Sequence, residues 1–454
     1  MRILIFAPSA YILGGVQNFL DYLLPGLHSL GHEVILGLPN GCIHRSAEYL
    51  SVHPWNHVVL ISNPTGSSQG RVNALVDEIQ KVKPDVVVNV NIGDCLEAVA
   101  TLRASGNSDV RLIHTIHSIE ADYIGDLEHY HNVIDGVIYT NRIIRTLIES
   151  SIDFESSRLF YAPYGVKVAE KLPKPGVDSQ SILWMGRFDQ SQKRCLELPL
   201  ITNALSSSTL NWELILVGDG PQADQLRSGF ADAPGNRIRW LGYLPHKLLL
   251  DEVLPNAGVL LMNSTWETGP ITIWEAMAAG VPVVASRYTG SGVEQSLIDR
   301  HNALMFDVGD VQAAADCISL IFRDSELRKR LAFHGHELVK QRYSTSISVE
   351  SWNRALLTVI GLTPRGRVEP GFILHRANGR LDRWLGLKIG EKVRQLLGKS
   401  WRHDTAGGEW PHARFSASVA DKENFMVMAR ASDCQAQYPN SLDSIDQCQD
   451  QGAV

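Results

Sequence analysis

The stretch from residue 258 to 286 constrains the fold more than any other part of the chain, because two buried-strand patterns flank a helical one there. Residues 259–262 and 281–285 are short apolar runs bounded by small or polar residues, which is typical of buried strands. Residues 271–279 between them have the apolar spacing of a helix. A strand, a turn, a helix and a strand in this order form a parallel βαβ unit of an α/β sheet.

Two carboxylates flank the start of this predicted helix. Glu267 lies in the turn before it, and Glu275 lies inside it. The turn follows the carboxyl end of a strand, where open α/β sheets bind ligands, and a helix N-terminus attracts anions. A carboxylate can accept two hydrogen bonds from a diol. The pattern predicts a site for a phosphate with hydroxyl-rich groups beside it; the alternative is an unliganded pair of glutamates.

The same strand–helix alternation extends through both halves of the chain. The predicted strands are 3–7, 33–38, 57–61, 85–90, 112–115, 136–139, 159–162, 181–185, 212–217, 238–243, 259–262 and 281–285. Helices are predicted between them, for example at 16–30 and 71–83. Such repetition favours parallel, doubly wound sheets. Breakers and charges at 167–178 predict an interdomain linker.

Composition narrows the class of protein. A length of 454 residues suits two or three domains, and a net charge of −7 argues against a nucleic-acid binder. No apolar run approaches the roughly 20 residues that span a bilayer, and residues 1–10 fit a first core strand better than a signal peptide. The six cysteines form no CxxC pair. We therefore expect a cytoplasmic protein without a zinc site or a disulfide framework.

A second pair of residues could bind phosphate. Arg187 follows the strand 181–185, and Lys193 lies on the loop after it. An arginine fork and a lysine point charge at the carboxyl end of a strand together suit a diphosphate. The alternative is a pair of ordinary surface cations.

The spacing E-x7-E before A-M-A-x-G-V-P-V-V-A-S, together with G-R-x5-K at 186–193, resembles the retaining glycosyltransferases of family 4 (glycosyl transferases group 1). The resemblance implies the GT-B fold, in which two Rossmann-like parallel-sheet domains face each other across a cleft and a C-terminal helix crosses back to the N-domain. It predicts an acceptor-side domain at 1–170, a nucleotide-sugar-binding domain at 178–345 and the crossover helix at 346–362.

The resemblance also implies roles for individual residues of the second domain. Arg187 and Lys193 would bind the donor diphosphate with Ile271 and Thr272 at the helix start, and Glu267 would contact the sugar as a catalytic residue. The residues implied at the nucleotide ribose and base are Gly218, Gly242, Tyr243 and Glu275.

In the first domain, the loop containing Gly14 and Gly15 resembles the glycine loop that faces the diphosphate. His117 matches the catalytic histidine that reaches the donor sugar, and His114 is the weaker match. The sequence departs from the family pattern elsewhere. Positions that differ include Gln17, Tyr164, Arg194 and Ala303.

The implied activity is transfer of a sugar from a nucleoside diphosphate sugar to a hydroxyl of a glycan or lipid-linked acceptor, with retention of configuration. No DxD-type motif lies in a plausible site, so we expect no metal and no cofactor beyond the donor as co-substrate. The alternatives are a non-catalytic binding or scaffold protein of the same fold, a nucleotide-sugar epimerase, or a phosphorylase.

The resemblance ends near residue 360. Residues 365–403 are basic, with apolar residues every fourth position from 381 to 397, which predicts an amphipathic helix. It could bind an anionic membrane on the inner face, or pack on the protein with a solvated basic face. Residues 404–454 are rich in Ser, Gln, Asp and Ala, and the composition predicts a mostly disordered tail.

Overall fold

The computed structural model describes residues 1–11, 14–106, 109–173, 179–206, 211–231, 237–366 and 380–437. The chain forms two compact units. The first contains residues 1–140, 144–162 and 349–426, and the second contains 141–143, 163–348 and 427–454. Part of the predicted linker, 174–178, lies outside the described residues.

The first unit contains a seven-stranded parallel sheet in the order β3-β2-β1-β4-β5-β6-β7. This order is that of a doubly wound sheet, with β1 beside the point where the order reverses. Its strands are β1 (Arg2–Phe6), β2 (Glu33–Asn40), β3 (Val58–Ser62), β4 (Val86–Asn89), β5 (Arg111–Ile116), β6 (Gly136–Tyr139) and β7 (Leu159–Tyr161). The helices between them are α1 (Gly15–Ser29), α2 (Ser46–Val52), α3 (Ser68–Val82), α4 (Asp94–Ala104), α5 (Ala121–Tyr130) and α6 (Arg142–Ser151), followed by a 3-10 turn at Ser156–Arg158.

The second unit contains a six-stranded parallel sheet in the order β10-β9-β8-β11-β12-β13. Its strands are β8 (Ser181–Met185), β9 (Glu213–Val217), β10 (Ile238–Gly242), β11 (Val259–Met262), β12 (Val283–Ser286) and β13 (Leu304–Phe306). Its helices are α7 (Leu198–Ser206), α8 (Ala223–Gly229), α9 (His246–Leu248), α10 (Ile271–Ala278), α11 (Ser291–Glu294), α12 (Val311–Arg323) and α13 (Ser325–Arg342), with short 3-10 or π turns at Cys195–Glu197, Leu249–Val253 and Leu254–Asn256. The predicted doubly wound parallel sheets are confirmed in both units.

Four further helices end the described chain. They are α14 (Thr345–Gly361), α15 (Arg380–Leu396), α16 (Ala406–Glu409) and α17 (Val419–Gln437). The boundary between the units falls within α14, at 348/349, and within α17, at 426/427. Among the described residues, no helix combines the length and the hydropathy needed to cross a bilayer.

Each unit has its own apolar core. In the first, Phe19 of α1 stacks on Trp352 of α14 with ring centroids 5.7 Å apart, and both side chains are buried. In the second, Trp274 of α10 stacks on Tyr343 at 4.0 Å, with the rings nearly parallel. Burial of such aromatic side chains is a large share of the free energy that stabilises each unit.

The C-terminal region differs from its prediction. A disordered tail was expected from residue 404, but 404–437 forms two helices and packs on the described chain, while 438–454 lies outside the described residues. Polar contacts with residues much earlier in the chain explain why this region is ordered. The carboxylate of Glu409 accepts hydrogen bonds from the backbone N–H groups of Cys42 and His44, each at 2.8 Å, which a composition rich in polar residues does not reveal. Cys434 is disulfide-bonded, whereas the sequence predicted no disulfide framework.

Candidate functional site

In the second unit, backbone hydrogen bonds join the loops at the carboxyl ends of β8, β9 and β10. The Gly186 N–H donates to the Val217 carbonyl at 3.0 Å, and the Gly218 N–H donates to the Gly242 carbonyl at 2.8 Å. The loop after β11 is joined in the same way, since the Thr265 N–H donates to the Gln192 carbonyl at 2.7 Å. The strand ends thus hold the predicted site residues along one edge of this sheet.

The turn after β9 depends on a glycine. Gly218 has φ of +132°, a conformation that L side chains rarely adopt, and a Cβ there would lie 2.0 Å from the Gly186 carbonyl oxygen. The close approach of these two backbones requires glycine at position 218. The loop predicted to contact the ribose is therefore a place where two backbone segments, at Gly186 and Gly218, pass in close contact.

Lys193 and Glu267, predicted from separate motifs, meet in the structure. The Lys193 Nζ lies 2.5 Å from the Glu267 Oε1, and their side chains are only 18% and 8% exposed. The backbone N–H of Glu267 donates to the Thr289 carbonyl at 3.1 Å, which ties the carboxylate-bearing turn to the loop after β12. A cation assigned to phosphate and a carboxylate assigned to a sugar thus form one nearly buried ion pair.

The loop that carries Lys193 is held by a polar network that the sequence reasoning missed. Arg194 adopts a left-handed conformation, with φ of +48°, and its guanidinium pairs with the Glu197 carboxylate. The Asn263 amide donates to the Arg194 carbonyl at 2.9 Å and accepts from the Trp184 indole N–H at 2.9 Å. Glycine adopts a left-handed backbone more readily than other residues, and at position 194 the arginine that departs from the family pattern adopts it while its side chain pairs with Glu197.

Arg187 presents its charge to solvent. Its side chain is 62% exposed, and its nearest carboxylate, that of Asp189, lies 3.9 Å away. At this distance the Asp189 carboxylate does not form a hydrogen bond with the guanidinium group, so the paired N–H donors of Arg187 are available to a bound anion. Arg187 and Lys193 therefore differ in state, since one cation is solvated and the other is paired inside the protein.

The start of α10 was predicted to face a phosphate through its amides. Three of the first four N–H groups donate within the turn, that of Ile271 to the Gly269 carbonyl at 2.8 Å and those of Ile273 and Trp274 to the Pro270 carbonyl. The remaining first-turn donor is the N–H of Thr272. In the structure the Ile271 amide is used by the turn at Gly269–Pro270, and its predicted contact with a phosphate stays a prediction.

Glu275 is buried in α10, and its Oε1 lies 2.5 Å from the Nε2 of His246. His246 is 38% exposed and follows β10 by four residues, close to Gly242 and Tyr243. Tyr243 is 51% exposed, and burial of part of its ring raises the pKa of the phenol. His246 was not predicted. The only sequence signal for it was its position on the loop already assigned to the nucleotide.

The residues predicted in the first unit lie at the carboxyl ends of β1 and β5. Gly15 begins α1 and Gly14 directly precedes it, and the loop residues 12 and 13 before them lie outside the described part of the chain. His117 directly follows β5, is buried, and lies 5.3 Å from Phe19 between ring centroids. Burial, with a smaller effect of His114, lowers the pKa of His117 to about 3, so its imidazole is neutral at physiological pH.

His114 was the weaker histidine candidate, and its contacts are those of a residue in the interior of the sheet. It is fully buried within β5, with its Nδ1 3.1 Å from the Asn89 amide nitrogen of the neighbouring strand. Burial lowers the pKa of His114 to about 4. The two histidines therefore differ in position, one inside the sheet and one at the strand end.

Together these groups suit a ligand with both negative charge and hydroxyl groups. In the second unit, a solvated guanidinium, a paired ammonium and one buried carboxylate lie on loops at the carboxyl ends of the strands, and a second buried carboxylate, that of Glu275, lies in α10. Cations suit phosphate, and carboxylates suit hydroxyl protons.

Comparisons with known proteins give matches in both halves of the chain. Residues 13–170 match the family model described as Glycosyltransferase Family 4, and residues 176–337 match the model described as Glycosyl transferases group 1. The chain is 26% identical over 249 residues to the lipopolysaccharide 1,6-galactosyltransferase of Escherichia coli, which covers 53% of this chain and 66% of that protein. It is 25% identical over 377 residues to the phosphatidyl-myo-inositol mannosyltransferase of Mycolicibacterium smegmatis, covering 80% of this chain and 95% of that protein.

A solved structure resembles the chain in fold. The crystal structure of Anabaena HepE in complex with UDP and glucose superposes with a TM-score of 0.64 at 17% identity, covering 79% of this chain and 100% of that one. The matched stretch of the galactosyltransferase spans slightly less than two thirds of that relative.

Proposed function

Because the chain belongs to the family 4 glycosyltransferases (glycosyl transferases group 1) and has the GT-B fold, we propose that it transfers a sugar from a nucleoside diphosphate sugar to a hydroxyl of a glycan or lipid-linked acceptor, with retention of configuration. The observation that carries this proposal is the Lys193–Glu267 ion pair on the same sheet edge as the solvated Arg187.

The ion pair suggests how the donor enters the site. A diphosphate offers Lys193 more negative charge than one carboxylate does, so donor binding transfers the ammonium from Glu267 to phosphate. The released carboxylate then accepts hydrogen bonds from hydroxyl groups of the sugar. Glu267 would thus be paired in the free enzyme and would contact the sugar in the complex.

The same groups serve the chemical step. Cleavage of the bond between sugar and diphosphate builds negative charge on the leaving group, and fixed positive charge lowers that barrier. Arg187 and Lys193 supply two cationic side chains, and the start of α10 adds the Thr272 amide and the helix dipole. These groups support a reaction without a metal ion or a further cofactor.

Glu275 would bind the ribose of the donor. Its carboxylate is buried and fixed by His246, so it meets a diol in a defined orientation. Tyr243, which is half exposed and precedes His246 by three residues, would lie against the base. In the first unit, the neutral imidazole of His117 would contact the donor sugar, as the family resemblance implies.

The relatives guide the choice of donor. The two matched enzymes are named as a galactosyltransferase and a mannosyltransferase, and the HepE structure contains UDP and glucose. We therefore propose a hexose donor, with UDP as the first nucleotide to test. The names of the relatives also support an acceptor in a surface polysaccharide or a glycolipid.

Thermal denaturation with UDP, GDP, ADP and their sugar conjugates tests the donor site. A ligand at a hundredfold excess over its Kd stabilises the folded state by about 2.7 kcal/mol. We expect one nucleotide to raise the unfolding midpoint, and Arg187→Ala and Lys193→Ala to abolish this shift. Lys167→Ala, which removes an exposed lysine elsewhere in the same unit, is the control. Absence of a shift with any nucleotide would contradict the donor site.

Glu267→Ala separates an enzyme from a binding protein of the same fold. This variant should still bind the nucleotide but lose transfer to acceptor, measured by release of the free nucleoside diphosphate. Detection of a glycoside among the products would exclude an epimerase, because an epimerase changes the sugar without forming a glycoside. Wild-type protein that binds nucleotide but forms no glycoside with any acceptor panel would favour the scaffold alternative.

A further inference from the structure

Helix α15 packs with its polar side inward. Its buried charged side chains are Asp382, Glu391 and Arg394, and most of its large apolar residues are exposed, while Leu381, Leu387 and Val393 are half-buried. The helical path is interrupted at Gly386, which has φ of +74°. The exposed apolar residues between 380 and 401 are Trp384 (85% exposed), Leu385, Ile389, Leu396 (86% exposed), Leu397 and Trp401. This arrangement is the reverse of that of an ordinary surface helix, which buries its apolar face.

Specific contacts fix this orientation. Arg394 pairs with the Asp382 carboxylate at 2.6 Å, and the Glu391 carboxylate accepts from the Thr65 hydroxyl at 2.8 Å and from the Ser67 hydroxyl. Turning the element over would keep the Arg394–Asp382 pair but would separate the Glu391 carboxylate from the Thr65 and Ser67 hydroxyls, and a buried charge that loses its partners is costly. The outward direction of the apolar side chains therefore follows from how the polar side chains are satisfied.

The helical part that follows Gly386 has exposed apolar residues on one side. Ile389 and Leu396 are seven residues apart and so lie on the same side of the helix, with Lys392 between them. The chain then continues to Trp401, whose backbone N–H donates to the Thr65 carbonyl at 2.7 Å and holds this second exposed tryptophan near α15. Exposed apolar groups gathered in this way mark a binding surface.

The exposed charged side chains of the same segment are all positive. Its exposed cationic residues between 380 and 402 are Arg380, Arg383, Lys388, Lys392, Lys399 and Arg402. Its two acidic residues, Asp382 and Glu391, are buried and paired. The surface presented to the outside therefore combines large apolar side chains with positive charge, and tryptophan and basic residues together are typical of a helix that lies in a membrane interface.

We propose that α15 and the chain up to Arg402, here called the α15 surface, dock on an anionic lipid membrane. The apolar side chains enter the boundary between headgroups and acyl chains, and the lysines and arginines contact lipid phosphates. This inference does not depend on the proposed transfer reaction. It would, however, place the protein where a lipid-linked acceptor resides.

Sedimentation of the full chain with vesicles tests the apolar contribution. We expect the protein to sediment with phosphatidylcholine vesicles that contain phosphatidylglycerol, and much less with phosphatidylcholine alone. Leu396→Ser and Trp384→Ser should each weaken the partition coefficient by about tenfold, because each removes a large apolar side chain from the interface. Phe333→Ser, at a position that is 50% exposed on α13, is the matched control and should sediment like the wild type.

Charge reversal tests the electrostatic contribution. Lys388→Glu combined with Lys392→Glu should reduce binding by at least about tenfold, since each cation near an anionic surface changes affinity about fivefold. The matched control reverses Lys167 and Lys171, two exposed lysines of the second unit, and should leave binding unchanged. All these side chains are exposed, so the unfolding midpoints should stay at the wild-type value.

Two results would overturn the proposal. One is wild-type protein that stays in the supernatant with anionic vesicles at low salt. The other is a wild-type dimer in light scattering that Leu396→Ser converts to a monomer without any vesicle binding, which would assign the α15 surface to a second copy of the chain.

Discussion

The Lys193–Glu267 pair gives the sharpest test of the candidate site, because it links stability to donor binding. Lys193→Met removes the cation and leaves the Glu267 carboxylate, which is 8% exposed, without its partner. Breaking a fully buried pair costs about 3–5 kcal/mol, and since Lys193 is partly exposed we expect about 2–4 kcal/mol here. Glu267→Gln should cost less, about 1–2 kcal/mol, since the ammonium can reach water.

The double variant should cost much less than the sum of the two single variants. A methionine beside a neutral amide leaves no buried charge, so we expect a total of about 1 kcal/mol and a coupling energy of about 2–5 kcal/mol. Urea denaturation followed by tryptophan fluorescence measures each free energy of unfolding. Saturating nucleotide should reduce the coupling, because Lys193 then contacts phosphate.

A second ion pair of the same unit is the matched control. Lys340 and Glu170 are 2.7 Å apart, a similar distance, but their side chains are 34% and 87% exposed. The cycle of Lys340→Met and Glu170→Gln should give a much smaller coupling energy, because solvent screens the two exposed charges. If the Lys193–Glu267 cycle gave an equally small coupling energy, the description of that pair as buried and interdependent would be refuted.

Three further predictions concern other parts of the chain. Gly218→Ala should destabilise the second unit by at least about 2 kcal/mol in urea denaturation and should weaken nucleotide binding, because its Cβ meets a backbone carbonyl; wild-type stability would contradict this close contact. Trp352→Ala should cost about 3–5 kcal/mol in the free energy of unfolding by removing the ring that stacks on Phe19, and a loss below about 1 kcal/mol would contradict that packing. A hydrogen bond to the Glu120 carboxylate raises the pKa of His412, so its stabilisation is complete below the unfolded pKa of about 6.5 and is lost as pH rises through the folded value. His412→Gln should therefore flatten the pH dependence of the thermal midpoint above about pH 6. The free energy of unfolding involved is less than about 1 kcal/mol, because both side chains are partly exposed. An unchanged pH profile would exclude this pair as the source of the pH dependence.

The strands were predictable because parallel sheets are covered on both faces. The runs at Val259–Met262, Ser181–Met185 and Gly136–Tyr139 were predicted with the bounds they have in the structure, since each strand is a continuous apolar segment between breakers. Arg187, Lys193 and Glu267 were predicted for a related reason. Each follows a strand, and the carboxyl ends of parallel strands meet at one edge of a sheet.

What the sequence left open depends on contacts between distant residues. His246 meets Glu275 only because of the turn that follows β10, and no spacing rule connects the two. The four-residue apolar period of 381–397 predicted an amphipathic helix, but not which side would face the protein. The orientation follows from the hydrogen bonds that Thr65 and Ser67, more than 300 residues earlier, donate to Glu391. The tail from 404 to 437 was missed for the same reason.

The division of the chain into units has a consequence for its synthesis. The first unit needs residues 349–426, and the ribosome makes these only after it has made 163–348 of the second unit. Phe19 at the start of the chain therefore has no Trp352 to stack on until most of the protein has left the ribosome. Domains commonly fold in the order of synthesis. Here the unit that begins first is completed late, and a nascent chain halted before residue 349 exposes an incomplete core to chaperones and proteases.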